Sequence, residues 1–204
     1  MYLKNQWRKN YLNIHLISLA VAAYFLGSIP FGLLASKYAQ VDIRSQGSKN
    51  IGATNVYRVM GWKWGLLVFV LDALKGYIPT VIAHTITEQA IYIITVGMLA
   101  IIGHSLSVFV RFKGGKGAAT GLGVLAAIAP DVWMIVVIIA VTTIAVFKYV
   151  APVTIGCSIL IPILLYVYNY SNAYVGVVSV ISLLVIIRHK DNIKRLFSGN
   201  ENKL

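Results

Sequence analysis

Ala118–Tyr149 reads AATGLGVLAAIAPDVWMIVVIIAVTTIAVFKY, thirty-two residues whose only charged members are Asp131 and Lys148. As one helix it would reach about 48 Å, far beyond a hydrocarbon core of about 30 Å. Pro130 disfavours helix in the residue before it, and Asp131 suits the first turn of a following helix. The stretch is therefore predicted as two short spans joined by a tight turn. Working outward, apolar runs at Ile14–Ser36, Gly65–Ala83, Ala90–Val110, Gly115–Pro130, Asp131–Phe147, Val150–Tyr168 and Asn172–Ile187 give seven spans.

Composition agrees. The 204 residues are 58% hydrophobic and only 12% charged, about half the charge of a soluble domain. No ten-residue alternating pattern points to a barrel. The expected fold is all-α and polytopic, a single integral-membrane domain over 1–204 with an N-terminal tail at 1–13 and a C-terminal tail at 188–204. Lys4, Arg8 and Lys9 followed by Leu16–Phe25 imitate a signal peptide, and Ala20-Val21-Ala22 within that run imitates a cleavage site, but the apolar run continues to Leu34, so the segment is expected to stay as a span. Cys157 is the lone cysteine, which excludes a disulfide framework or paired-thiol metal site.

Parity fixes the orientation. With seven spans, the loops after spans one, three and five share a side with the C-terminus. That side holds fourteen of the eighteen Lys and Arg residues, against Lys4, Arg8 and Lys9 on the other and Lys75 within a span. The asymmetry predicts a cytoplasmic C-terminus and an outside N-terminus. The basic N-terminal tail pulls the other way, and Trp7 and Tyr11 suit an interfacial anchor. The net charge of +12 is read as this sorting plus an anionic small substrate, with no nucleic acid as partner.

Ten of those cations fall in three polar segments, Arg44–Gly61, Arg111–Gly117 and Arg188–Glu201. In Gly47–Arg58, small residues let backbone N–H groups approach an anion. Ser48, Asn50, Gly52, Thr54 and Asn55 add partners there, and Arg58 suits bidentate phosphate binding. An ordinary polar loop would read much the same. In Phe112–Gly117, the residues Gly114, Gly115, Lys116 and Gly117 precede an apolar helix, combining free N–H groups, a positive dipole end and a lysine. Val110 and Gly117 exclude a Walker A loop. Gly117 and Gly121 also fit a small-xxx-small packing face. In Arg188–Leu196, His189 and Asn192 share a helical face; the histidine is a base, a donor to phosphate, or an interfacial residue. His104, at the inner end of span three, is either a substrate contact or a packing residue. Asp72 and Lys75 pair at i, i+3 inside span two, and Gly27–Gly32 is expected to bend span one.

Absences narrow the chemistry. No HxxxxD or HExxH pattern and no paired-Asp motif occur, and six scattered acidic residues predict no metal site. A transporter for an organic phosphate is the rival reading. Transporters favour midplane sites and internal repeats, whereas these motifs gather at one edge.

Taken in order, Gly27–Gly32, Asp42-Ile43-Arg44, Gly47-Ser48 with Asn50–Asn55, Leu71-Asp72 with Lys75-Gly76, Gly103-His104, Phe112–Gly117 and Arg188–Leu196 resemble the bacterial acyl-phosphate:glycerol-3-phosphate acyltransferases from about Ala23 to Glu201. The resemblance implies a seven-helix inner-membrane enzyme without cofactor, its active site facing the cytoplasm. It implies transfer of a fatty acyl group from acyl phosphate to the sn-1 hydroxyl of glycerol 3-phosphate, giving lysophosphatidic acid and phosphate, the first step of phospholipid synthesis. A link to the enzyme that forms acyl phosphate follows, with membrane lipid as the surroundings. Family roles fall on Ser48, Arg58, Lys116, His189 and Asn192, supported by the glycine loop. His189 is expected to orient phosphate by donating a hydrogen bond. Two departures stand out: Lys49 where glycine is usual, and Ser107 where proline is common. Any positive φ at Lys49 would be strained.

Overall fold

Pro130 divides the long apolar stretch as its chemistry requires. α6 (Ala118–Ile128) stops at Ala129, and α7 (Pro130–Phe147) opens with proline, where a missing N–H breaks no helical bond. Asp131 secures the turn by accepting from Val132 N at 2.8 Å and from the Tyr170 hydroxyl. A computed structural model describes the backbone of residues 2–204 and side chains from residue 14 onward. The expectations for Lys4, Trp7, Arg8, Lys9 and Tyr11 lie outside those side chains.

The other helices are α1 (Tyr2–Ser28), α2 (Phe31–Tyr38), α3 (Ala53–Met60), α4 (Trp62–Ile86), α5 (Ala90–Ser105), α8 (Ala151–Val167), α9 (Asn172–Arg188) and α10 (Lys190–Phe197), with a 3-10 turn at Val108–Val110. Among the described residues there is no strand. Ile14–Tyr38, Trp62–Ile86, Ala90–Val110 and Pro130–Phe147 are long and apolar enough to cross a membrane; α9, with 17 residues, reaches that length only when counted with α10, from which it is bent by 56°. α8 has 17 residues and α6 only 11. α6 is shorter than the expected Gly115–Pro130 because the glycine loop folds back instead of starting the helix. Gly114 N donates to Ser105 O at 3.2 Å and Gly115 N to His104 O at 3.0 Å. Such pairing is what buried backbone at membrane depth demands.

Glycines set how closely the helices approach. A methyl on Gly27 would sit 2.1 Å from the Ala100 carbonyl oxygen, and one on Gly103 2.1 Å from that of Tyr24, locking α1 onto α5. Gly76 against Thr120 and Gly123 against Ala73 do the same for α4 and α6. The expected packing role of Gly121 is not met. Its nearest foreign atom would be 3.9 Å away, and it lines a cavity, so Gly123 carries the contact instead.

The predicted bend of span one falls at Ile29-Pro30, where the helix is interrupted between α1 and α2 while Ile14–Tyr38 still runs as one span. Lys75, 2% exposed, donates to the Ile29 carbonyl at 2.9 Å and pairs with Asp72 at 2.7 Å. A buried ion pair thus clamps the α1–α2 corner from α4. Ser107, at the usual proline position, has a proline-compatible φ of −66° and donates to the Ser28 carbonyl at 2.6 Å. Beyond the corner, Ala35, Ile43, Val56 and Val68 form a small core that fixes both ends of the first polar segment.

Candidate active site

Asn55 builds the first segment. It is 1% exposed; its Oδ1 accepts from Ser48 N at 2.8 Å, and its Nδ2 donates to the carbonyls of Ile43 (2.8 Å) and Gln46 (3.2 Å). Those bonds fill its donors and engage its oxygen, so Asn55 braces the loop, contrary to its expected role as a direct phosphate contact. Asn50 accepts from Gly52 N at 2.9 Å, ahead of α3. Ser48 and Thr54 lie on the cavity wall. Lys49 has φ +59°, the strained left-handed region foreseen where glycine is usual. That conformation costs a non-glycine residue roughly 1–2 kcal/mol, partly offset because glycine leaves a freer unfolded chain. Lys49→Gly is expected to stabilise the protein by about 0.5–1 kcal/mol, read as a higher unfolding temperature in micelles. An unchanged or lower midpoint would contradict the strain.

The glycine loop delivers Lys116 and the start of α6. Gly117, with φ +87°, is the N-cap, and Gly117, Ala118 and Ala119 line the cavity. The first-turn N–H groups have no helical acceptor and carry the positive dipole end. Gly114 and Gly115 do not line the cavity. Their N–H groups bond to α5, and a methyl on Gly115 would sit 2.1 Å from His104 Nε2. They allow close backbone approach and do not offer amides to phosphate, which corrects the expected role. Arg188 holds this loop: one guanidinium nitrogen donates to the carbonyls of Ser105, Gly114 and Gly115 at 3.0–3.2 Å. Sequence reading left Arg188 out of the site because a cation after a span also reads as topology sorting.

His189 sits at the α9–α10 bend, 4% exposed, with Nδ1 2.8 Å from the Val185 carbonyl. A carbonyl only accepts, so Nδ1 carries the proton and neutral Nε2 keeps a lone pair. Burial pushes the imidazole down to about 4, the Val185 bond opposing and Lys116 assisting. The expected donation from His189 to phosphate is therefore replaced by acceptance at Nε2. Burial, then the Arg195 charge, pushes Lys116 down to about 8 while Glu201 opposes. Lys116 Nζ donates to Asn192 Oδ1, and Asn192 Nδ2 to Glu201 Oε1 at 2.7 Å. Arg58 donates from Nε to the Lys203 carbonyl and from Nη2 to that of Asn202, both at 2.9 Å. The tail thus takes one edge of the guanidinium and leaves the other for an anion.

A cavity of about 530 Å³ joins these pieces. Ser48, Asn50, Gly52, Thr54, Asn55, Arg58, Lys116, Gly117, His189 and Asn192 line it, and so do His104 and Asp72. His104 Nδ1 lies 3.6 Å from Asp72 Oδ1. Away from the cations the wall is apolar, formed by Phe69, Leu122, Trp133, Val137, Ile144 and Ile161 from α4, α6, α7 and α8.

Cations and a helix start set beside an apolar slot suit one kind of ligand, an amphiphile with a phosphate head, and define a membrane-embedded lipid enzyme. Residues 17–199 match the profile of the glycerol-3-phosphate acyltransferases, and the chain belongs to that family. A Geotalea daltonii glycerol-3-phosphate acyltransferase is 43% identical over 186 residues, covering 91% of this chain and 96% of the relative. The Aquifex aeolicus enzyme is 41% identical over 186 residues, covering 91% and 97%. Crystal structures of PlsY (YgiH), an integral membrane glycerol 3-phosphate acyltransferase, superpose at 39% identity. The glycerol 3-phosphate form has a TM-score of 0.90 and covers 93% of this chain and 96% of its own. The lysophosphatidic acid form has a TM-score of 0.87 and covers 93% and 95%.

Proposed function

We propose that this acyltransferase moves a fatty acyl group from acyl phosphate to the sn-1 hydroxyl of glycerol 3-phosphate, releasing lysophosphatidic acid and inorganic phosphate. The observation that carries the reading is one cavity with cations along one part and an apolar wall along the rest. Acyl phosphate is a mixed anhydride with a good leaving group, so positioning and charge stabilisation suffice. Both substrates carry phosphate, matching Arg58, Lys116 and the α6 N-terminus. His189 Nε2 accepts from the second glycerol hydroxyl and so positions the sn-1 oxygen, which attacks the acyl carbon. The C–O bond to phosphate breaks with its electron pair, and the hydroxyl proton leaves with the departing phosphate. Ser48 and Asn192 hold the glycerol phosphate against the cations.

The same reading includes seven spans, an outside N-terminus and the three basic segments at the cytoplasmic face of a bacterial inner membrane. Convergence of residues 48–58, 116–117 and 188–203 on one cavity supports a shared side. Purified protein in micelles should release phosphate only when acyl phosphate and glycerol 3-phosphate are both present. Movement of substrate across sealed vesicles without phosphate release would favour a transporter.

The apolar slot makes a chain-length prediction. Ala126 lines it eight residues beyond the start of α6, about 12 Å along the helix. Ala126→Phe should shorten the slot while leaving the head end intact. Each methylene excluded forfeits about 0.8 kcal/mol, so two cost roughly fifteen-fold. Relative kcat/KM for long-chain over short-chain acyl phosphate should fall by about that factor. An unchanged ratio would place the acyl chain elsewhere.

A further inference from the structure

The chain beyond α10 turns back over the site. Asn200 N donates to Arg195 O and Leu204 N to Lys148 O, each at 2.8 Å, and the carbonyls of residues 202 and 203 accept from Arg58. Glu201 lies at the centre of this return, 8% exposed. Its Oε1 accepts from Asn192 Nδ2 at 2.7 Å and its Oε2 from Arg195 Nε at 3.0 Å.

An ionised carboxylate has no proton to give. Facing one, Asn192 must turn its NH2 group toward Glu201, so its oxygen points the other way, to Lys116. An asparagine without such a partner presents either end at similar cost, and half of those arrangements set an NH2 group against the Lys116 ammonium. The amide orientation matters because it decides whether the residue gives a hydrogen bond or takes one at the cavity. Proposed above as a substrate contact, Asn192 then takes one.

We propose that Glu201 is a positioning residue for acyl transfer, fixing the Asn192 amide with its oxygen toward Lys116 and the bound glycerol 3-phosphate. The inference rests on the reading of Lys116 and Asn192 as substrate-handling groups. With its orientation set, Asn192 Oδ1 accepts from the Lys116 ammonium or from a glycerol hydroxyl and leaves the phosphate to the cations. Sequence alone gives one weak signal, the one acid that follows Asn192 in a basic tail, nine residues on.

The test is a double-mutant cycle on the full chain in micelles: wild type, Glu201→Ala, Asn192→Ala and the double variant. Each is measured for kcat/KM with glycerol 3-phosphate at saturating acyl phosphate. Glu201→Ala should lose about ten- to thirty-fold, in the range of coupled polar pairs. Asn192→Ala should lose at least as much, and the double variant should match Asn192→Ala. Glu201→Gln keeps the volume but removes the obligatory acceptor. It guards against misfolding and should lose several-fold in the wild-type background and nothing in Asn192→Ala. Equal losses in both backgrounds would mean that Glu201 only pins the tail, and would overturn the proposal. So would a Glu201→Ala protein within two-fold of wild type while Asn192→Ala is impaired. A fully active Asn192→Ala would instead sink the assignment of Asn192 to the site, and the proposal with it.

Discussion

Lys116→Ala should lose about thirty- to a thousand-fold in kcat/KM, the 2–4 kcal/mol expected when one preorganised charge is removed from a water-poor site. The lysine sits between the start of α6 and Asn192, while Arg58 is held along one edge by the tail, Arg188 by the glycine loop and Arg195 by Glu201. Lys194→Ala, at an exposed position on α10, should stay within two-fold and separates a site charge from the general field of the face. The sign of the pH dependence follows from burial. An ammonium pushed down to about 8 is charged below that pH and increasingly neutral above it, so kcat/KM should fall as pH rises through about 8. That limb should vanish in Lys116→Ala. A variant that is as active as Lys194→Ala, or that keeps the alkaline limb, would remove Lys116 from the site.

Sequence and structure agree where local chemistry acts alone. Pro130 cannot continue a helix and Pro30 interrupts one, so the break and the bend were legible from residue type; strain at Lys49 was foreseen only through the family resemblance, as the consequence of any positive φ there. That Ser48, Arg58, Lys116, His189 and Asn192 line one cavity was expected from the family resemblance, with the gathering of the basic loops on one face as its physical support. What was not legible is the direction in which polar groups point. Asn55, Gly114 and Gly115 have the composition of an anion loop, yet their hydrogen-bonding groups serve the fold. Nothing in a linear string says whether an amide faces ligand or backbone. Gly121 and Gly123 differ likewise only in which face of α6 meets Ala73. Glu201 and Arg188 were passed over because each acts through a partner at least nine positions away.

His189 gives the sharpest case of direction deciding chemistry. With the Nδ1 proton committed to Val185, only Nε2 is left to meet substrate, and as a neutral nitrogen it can only accept, on the proposed reading from a glycerol hydroxyl. His189→Ala should lose about a hundred-fold, the scale of a misplaced attacking group, while the protein still inserts and accumulates. His189→Gln restores an acceptor oxygen but not one anchored to Val185, so it should recover no more than about ten-fold of that loss. Substrate phosphates titrate near pH 6 in every variant, so the informative quantity is the ratio of wild type to His189→Ala. Because burial holds the imidazole down to about 4, the ratio should be flat from about pH 5.5 to 7.5. It should decline only at lower pH, where Nε2 takes a proton and ceases to accept. A ratio that declines through about 6.5, the ordinary histidine value, would mean an imidazole open to water. Full activity in His189→Ala would end any role in the reaction and leave the residue as a helix cap at the α9–α10 bend.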